Sequence, residues 1–204
     1  MRIGCLISGG GRTVLNLAEI VERDAIPARI GIVIAHRETI PGVARCRDAG
    51  LPVTIVPIGD SVDADDRIDR ALDDAGVRLV CLAGYLRHFR VGTRWTDQVI
   101  NIHPSLLPRH GGHGMYGDRV HRAVLDSDDT VSGCTVHAVD EIYDHGVVIH
   151  QRTCPVLPGD DVDSLASRVF AEECHALPEV VSALSRGVLS IDRGQVRGTV
   201  PSHC

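Results

Sequence analysis

Apolar positions in the first half of the chain follow two alternating spacings. Short runs rich in Val and Ile predict strands over residues 3–8, 29–35, 53–56, 78–83 and 99–103. Between these runs, apolar residues at helical spacing predict helices over residues 13–23, 41–50 and 60–75. Strands that alternate with helices need crossover connections, so we expect an α/β fold with a doubly wound, mostly parallel sheet.

The second half of the chain has a different pattern. Apolar spacing predicts helices over residues 118–125 and 161–184, strands over 133–139 and 147–156, and a terminal hairpin from 188–191 and 195–197. Consecutive strands here predict an antiparallel extension of the sheet. Pro178 predicts a break or kink in the longer helix, and we expect residues 199–204 to fray. No linker or repeat interrupts residues 1–204, which favours one domain.

Composition and charge narrow the classes of function. The formal net charge is -6, which argues against a general nucleic-acid-binding surface. All 21 basic residues are Arg, so Schiff-base catalysis by Lys is excluded. The N-terminus lacks the pattern of a signal peptide, and no apolar stretch approaches the ~20 residues that span a bilayer. We expect three cysteines that lie in apolar runs to be in the core: Cys5, Cys81 and Cys134. Together, these observations predict a cytoplasmic protein without a membrane partner.

A glycine-rich segment follows the first predicted strand and opens the first predicted helix. It reads Ser-Gly-Gly-Gly-Arg-Thr over residues 8–13. Unpaired N–H groups at a helix start favour phosphate, Arg12 offers a two-pronged contact, and Thr13 is a candidate N-cap. A tight turn without any ligand is an equally weighted alternative.

Asn101 and His103 stand two residues apart at the end of the fifth predicted strand, so their side chains share a face. An Asn amide can donate to a developing oxyanion, and a His can move protons near neutral pH. A purely structural Asn–His pair is the alternative. Because parallel strands end at one edge, we expect these residues to meet residues 9–11 and 84–90 there.

An acidic turn at residues 140–146 lies between two predicted strands. A carboxylate close to His103 would raise the pKa of that histidine. The residues alone do not distinguish Asp140, Glu141 and Asp144. The eleven His match no familiar zinc spacing, so no metal is expected.

Four motifs together resemble the glycinamide ribonucleotide formyltransferase family, over residues 1 to about 190. They are Asn-Ile-His-Pro-Ser-Leu-Leu-Pro at 101–108, Gly-Gly-His-Gly-Met-Tyr-Gly at 111–117, Thr-Val-His at 135–137 and Asp-Glu-Ile-Tyr-Asp-His-Gly at 140–146. The resemblance implies a Rossmann-like formyltransferase fold, with a phosphate- and substrate-binding half at 1–100 and a catalytic and folate-binding half at 101–190.

The resemblance also assigns roles to individual residues. The implied catalytic triad is Asn101, His103 and Asp144. The implied substrate-binding residues are Gly10, Gly11, Arg12, Thr13, Pro104 and Glu173. The implied folate-binding residues are Leu86, Arg87, His88, Phe89, Asn101, Asp140, Glu141, Ile142, Tyr143 and Asp144.

The implied reaction is formyl transfer from 10-formyltetrahydrofolate to the primary amine of glycinamide ribonucleotide, a phosphorylated small molecule, in de novo purine biosynthesis and without a metal. We expect Asn101 and protonated His103 to stabilise the oxyanion, and Asp144 to keep His103 charged. We expect a monomer or a homodimer.

Three alternatives stay open. The family's usual Gly-Ser-Asn is Gly-Arg-Thr at residues 11–13, which leaves room for another acceptor, such as an amino sugar or a natural-product intermediate. A formyltetrahydrofolate hydrolase is less favoured, because such proteins usually carry an additional N-terminal domain and the first strand here begins within three residues. A catalytically silent folate- or nucleotide-binding protein is disfavoured by the intact triad.

Overall fold

The computed structural model describes residues 1–57 and 63–201. Its strands are β1 (Arg2–Ile7), β2 (Arg29–Ala35), β3 (Val53–Ile55), β4 (Leu79–Leu82), β5 (Val99–His103), β6 (Val131–Ala138), β7 (Val148–Pro155), β8 (Leu189–Asp192) and β9 (Gln195–Gly198). Its helices are α1 (Arg12–Arg23), α2 (Pro41–Asp48), α3 (Asp63–Asp74), α4 (Asp118–Leu125) and α5 (Val162–Ser185). The predicted start of α3 at residues 60–62 and the predicted fraying at 202–204 lie outside the described residues.

One sheet contains seven strands in the order β3-β2-β1-β4-β5-β6-β7, and β8 and β9 form a separate antiparallel pair. The pairs β1–β2, β2–β3 and β1–β4 are parallel, whereas β6 and β7 are antiparallel. The predicted α/β class, with a mostly parallel sheet and an antiparallel extension in the second half, is confirmed.

The first of two compact units comprises Met1–Ile100. Its centre is β1, which is buried along its length after Arg2 and pairs in parallel with β2 on one side and β4 on the other. The amphipathic helix α1 buries Val14, Leu17 and Val21 at helical spacing, as the apolar pattern predicted.

The second unit comprises Asn101–Cys204. Every residue of β6 after Val131 is buried, while β7 alternates between buried and exposed positions. Helix α5 begins with a capping box, in which Asp161 Oδ1 accepts from Ser164 N at 2.8 Å and Asp161 N donates to Ser164 Oγ at 2.9 Å. No helix in the described part of the chain combines the length and apolar character needed to cross a bilayer.

Pro178 does not break α5, so of the two predicted outcomes the break is wrong, and the kink stays a prediction. The helix continues from Val162 to Ser185, and Pro178 is itself buried. Leu177, Val180 and Val181 are fully buried around it. Burial of this apolar face compensates for the one helical hydrogen bond that a proline cannot donate.

Among residues 1–57 and 63–201, five thiols are buried, three in the first unit and two in the second: Cys5, Cys46, Cys81, Cys134 and Cys154. The predicted core placement of Cys5, Cys81 and Cys134 is confirmed, since each is fully buried. Cys5 lies opposite Cys81 on adjacent parallel strands. The Cys81 contact and burial together raise the pKa of Cys5, and burial raises that of Cys134.

Candidate active site

Strand β5 delivers Asn101 and His103 to one face at its carboxyl end, as their two-residue spacing predicted. The acidic turn after β6 brings Asp144 to both of them. Asp144 Oδ2 lies 3.4 Å from His103 Nδ1, and Asp144 Oδ1 accepts from Asn101 Nδ2 at 3.4 Å. The second unit therefore gathers the three residues of the predicted triad.

The other two acidic candidates have different surroundings. Asp140 Oδ1 accepts from Ile142 N at 2.8 Å, and its Oδ2 contacts His145 Nδ1 at 2.7 Å, so this carboxylate organises its own turn. Glu141 is exposed. Geometry thus favours Asp144 as the carboxylate beside His103, a choice that the residue pattern alone left open.

His103 is 3% exposed, and both of its ring nitrogens face oxygen atoms. Nε2 lies 2.9 Å from the main-chain oxygen of His110. A carbonyl only accepts, so Nε2 carries a hydrogen and donates. Nδ1, which faces Asp144, is consequently the nitrogen that can be protonated and deprotonated.

Burial lowers the pKa of His103 below its ordinary value. Asp144 and the His110 carbonyl raise that pKa, but less than burial lowers it. Asp144 thus raises the pKa of His103 as predicted, but the net shift is downward, because burial removes more stabilisation of the imidazolium than one carboxylate at 3.4 Å restores. The expectation of a protonated His103 is therefore wrong. For Asp144, burial raises the pKa, but contacts with His137, His103 and Gly112 N lower it more, so the group is a carboxylate at neutral pH.

His137, to which the residue pattern assigned no role in the site, completes the cluster. It is fully buried on β6, with Nδ1 2.7 Å from the Ala138 carbonyl oxygen and Nε2 3.0 Å from Asn101 Nδ2. Nδ1 must donate to that carbonyl, so Nε2 accepts from the Asn101 amide. His137 therefore fixes the orientation of the Asn101 amide, with its NH2 group towards His137. The signal available in the sequence was the shared face of residues 135 and 137.

The glycine-rich segment leads directly into α1, and Gly11 adopts a left-handed conformation with φ 68° as its N-cap. The helix begins at Arg12, so the predicted capping by Thr13 is wrong: Thr13 lies inside the first turn, and no side chain caps the helix. The first N–H groups of α1 have no acceptor within the helix. From α2, Arg45 Nη1 donates to the Gly10 carbonyl oxygen at 3.1 Å.

The loop over residues 84–90 is joined to the end of β1 in the first unit. Ser8 N donates to the Gly84 carbonyl at 3.0 Å, and Leu86 N donates to Ser8 Oγ at 3.1 Å. Residues 9–11 and 84–90 are therefore neighbours, as expected. Their juxtaposition with Asn101 and His103 stays a prediction.

The predicted folate-binding side chains differ in exposure. Leu86, Arg87 and His88 are exposed, whereas Phe89 is 4% exposed and offers little beyond its backbone. In the acidic turn of the second unit, Ile142 is 60% exposed. Each loop by itself therefore presents an exposed apolar side chain of the kind that contacts aromatic ligands.

Pro104 and Glu173 are half-buried, in the segment after β5 and on α5 respectively. Their predicted contacts with substrate stay predictions. Within residues 1–57 and 63–201, no group of three or more His, Cys, Asp or Glu side chains is arranged to hold a metal ion.

Comparison with known proteins places this arrangement in context. Residues 1–181 match the family model described as formyl transferase. A solved structure of glycinamide ribonucleotide transformylase 1 from Symbiobacterium toebii is 37% identical, with a TM-score of 0.89 over 98% of this chain and 94% of that one.

Two curated relatives are longer proteins. Phosphoribosylglycinamide formyltransferase, chloroplastic, from Vigna unguiculata is 35% identical over 90% of this chain, which spans 60% of that protein. Trifunctional purine biosynthetic protein adenosine-3 from Drosophila pseudoobscura pseudoobscura is 36% identical over 92% of this chain, which spans 14% of that protein. The chain thus spans less than two thirds of the length of either curated relative.

Proposed function

The chain belongs to the formyl transferase family, and from this premise we propose that it transfers a formyl group from 10-formyltetrahydrofolate to the primary amine of glycinamide ribonucleotide, a step of purine biosynthesis. The observation that carries the proposal is the cluster of Asn101, His103 and Asp144 at the end of β5. The names of the curated relatives and of the solved relative support the choice of acceptor.

Asn101 stabilises the charge that develops on the formyl oxygen as the amine adds to the formyl carbon. One N–H of its amide stays on His137 Nε2. The other contacts Asp144 only at 3.4 Å, longer than a usual N–H···O distance, so it is available to donate to the oxyanion.

His103 carries the proton of the reaction. Its lowered pKa keeps the ring neutral near pH 7, so Nδ1 accepts the proton that the attacking amine loses. Asp144 Oδ2 stabilises the imidazolium that results. The proton then passes from Nδ1 to the folate nitrogen as the bond between that nitrogen and the formyl carbon breaks, and the neutral ring returns. This route replaces the expectation of an already protonated His103.

The remaining predicted residues bind the two substrates. Gly10, Gly11, Arg12 and Thr13 hold the phosphate of the acceptor, because the amino-terminal end of α1, which follows the left-handed Gly11, favours an anion. Loops 84–90 and 140–144 hold the folate. We place this activity in the cytoplasm, with a monomer or a homodimer as the working form.

A comparison of acceptors tests the proposal. Purified protein with 10-formyltetrahydrofolate should formylate glycinamide ribonucleotide, measured by chromatography of the formylated amine and of tetrahydrofolate, and neither product should form when either substrate is omitted. Steady formate release without an amine would indicate a hydrolase instead. Tight folate binding without transfer to any amine would indicate a binding protein.

The Arg12-Thr13 pair supplies a second test, directed at the acceptor. Arg12→Ser with Thr13→Asn restores the family's usual loop. If this chain acts on glycinamide ribonucleotide, the double variant should raise the KM for that acceptor or leave it unchanged. A large gain in activity on glycinamide ribonucleotide, together with loss of activity on an amino sugar, would contradict the proposed acceptor.

A further inference from the structure

Asp129, in the turn between α4 and β6, contacts two consecutive side chains of the loop that follows β5. Its Oδ1 lies 2.5 Å from Arg109 Nη1, and its Oδ2 lies 2.8 Å from His110 Nε2. The hydrogen bond from His110 is the largest of the contacts that lower the pKa of Asp129, so this group is a carboxylate across the neutral range. One charged group therefore holds both side chains.

The backbone of His110 explains why such a contact matters. His110 has φ 53°, in the left-handed region, and its carbonyl oxygen accepts from His103 Nε2 at 2.9 Å. A residue with a Cβ populates this region roughly tenfold less readily than its ordinary conformations. Ser105 Oγ donates to the Arg109 carbonyl at 2.7 Å and so holds the preceding peptide, while its contact with the His110 carbonyl is a long 3.5 Å. By binding the side chain of His110, Asp129 can therefore keep the main-chain carbonyl of the same residue in place.

We propose that Asp129 is a positioning residue: through the side chain of His110, its carboxylate fixes the main-chain carbonyl that accepts the hydrogen bond from His103 Nε2. This contact orients the imidazole and leaves Nδ1 as the atom that exchanges a proton. The catalytic part of this inference rests on the function proposed above, whereas the structural part does not.

Loss of Asp129 should change the titration of His103. The His110 carbonyl stabilises the imidazolium, so its displacement lowers the pKa of His103 further. The titratable and charged groups around His103 are Asp144 from the acidic turn, His137 from β6, His110 from the loop and His121 from α4. Asp129 lines a cavity of about 310 Å³, so its truncation enlarges an existing space instead of opening a gap in packed core.

An NMR titration tests the structural part without any substrate. The His103 ring signals, assigned by comparison with His103→Gln, should titrate at lower pH in Asp129→Ala than in the unaltered protein. Asp128→Ala is the matched control, because Asp128 is an exposed carboxylate that lines the same cavity one residue earlier. It should leave the titration unchanged. A role confined to stability would lower the melting temperature of Asp129→Ala without moving the His103 titration.

Rates test the catalytic part. We expect Asp129→Ala to lower kcat about tenfold, with both KM values almost unchanged. Without the Asp129 contact, His110 would adopt its left-handed conformation about tenfold less often. Glycine adopts φ near 50° without a side-chain contact, so in a His110→Gly background the same substitution should cost less than about twofold.

Asp129→Asn keeps an oxygen that can accept from His110 Nε2, so it should retain most of the rate; it also serves if the alanine variant does not fold. The proposal is overturned if the His103 titration is unchanged in Asp129→Ala. It is equally overturned if Asp129→Ala costs as much in the His110→Gly background as alone, or if Asp129→Asn loses as much as Asp129→Ala. Absence of formyl transfer in the unaltered protein would instead count against the proposed function.

Discussion

Replacing Gly42 with alanine should disturb the packing of α2 against the glycine-rich segment. Gly42 lies in the first turn of α2, and its N–H donates to the Gly9 carbonyl at 3.1 Å. A Cβ at this position would lie 2.6 Å from Gly9 O, 2.9 Å from Gly11 N and 2.9 Å from Ile7 Cδ1. Two of these three atoms belong to the backbone, so a side-chain rotation cannot relieve the overlap. Either α2 moves away or the segment does.

The size of the effect follows from the cost of inserting a methyl group into a well-packed site, about 1–3 kcal/mol. For a chain of this length each kcal/mol moves the melting temperature by about 2–4 °C, so a mid-range loss of about 2 kcal/mol predicts a fall of about 4–8 °C. If the glycine-rich segment moves instead of α2, the KM for the phosphorylated acceptor should rise while the KM for the folate stays constant.

Thermal melts and steady-state kinetics measure the two effects separately. Gly31→Ala is the matched control for both, because a Cβ there would meet its nearest atoms at an ordinary 3.6 Å. Gly9→Ala is a control for stability within the same segment, since no heavy atom of the described residues lies within 4 Å of its added Cβ. A Gly42→Ala protein that melts within about 1 °C of the unaltered chain and keeps its KM for the acceptor would refute the packing argument.

Three further outcomes are expected. Asn101→Ala should lower kcat by about 100- to 1000-fold in a folded protein, measured as formyl transfer, and a near-normal rate would remove Asn101 from the mechanism. Burial lowers the pKa of both His103 and His121, so the unfolded chain binds more protons below about pH 6.5, and the free energy of unfolding should fall as the pH drops from 6.5 to 5; urea titrations should show a shallower pH dependence for His121→Gln. Asp161→Ala should cost about 1 kcal/mol, seen as a lower urea midpoint at constant m-value, because it removes the acceptor for Ser164 N at the start of α5.

Much of the fold was predictable from the sequence, because the short Val- and Ile-rich runs indicate strands and the helical spacing of apolar residues indicates helices. The errors occur where local preference competes with tertiary packing. Thr13 is a good N-cap residue by type, but the N-cap of α1 is the left-handed Gly11, two residues earlier. Pro178 is a helix breaker by type, but it lies within a buried face that continues on both sides.

The candidate site was predictable in part. Strand spacing alone placed Asn101 and His103 side by side, whereas Asp144 was selected from the acidic turn by family resemblance. The contribution of His137 was missed because a residue pattern does not reveal which polar groups on a buried face point at one another. The direction of the His103 pKa shift was missed because burial outweighs the neighbouring carboxylate, and the depth of burial cannot be judged from spacing.

The buried thiols make the protein its own reporter of local opening. Cys5 and Cys81 in the first unit and Cys134 in the second are inaccessible, and each of the three lies within a buried stretch of strand. A thiol reagent present in excess can modify such a cysteine only during a transient exposure, at a rate set by the opening equilibrium of its surroundings. Mass spectrometry of the modified peptides would therefore resolve the opening of the two units separately, without an introduced probe.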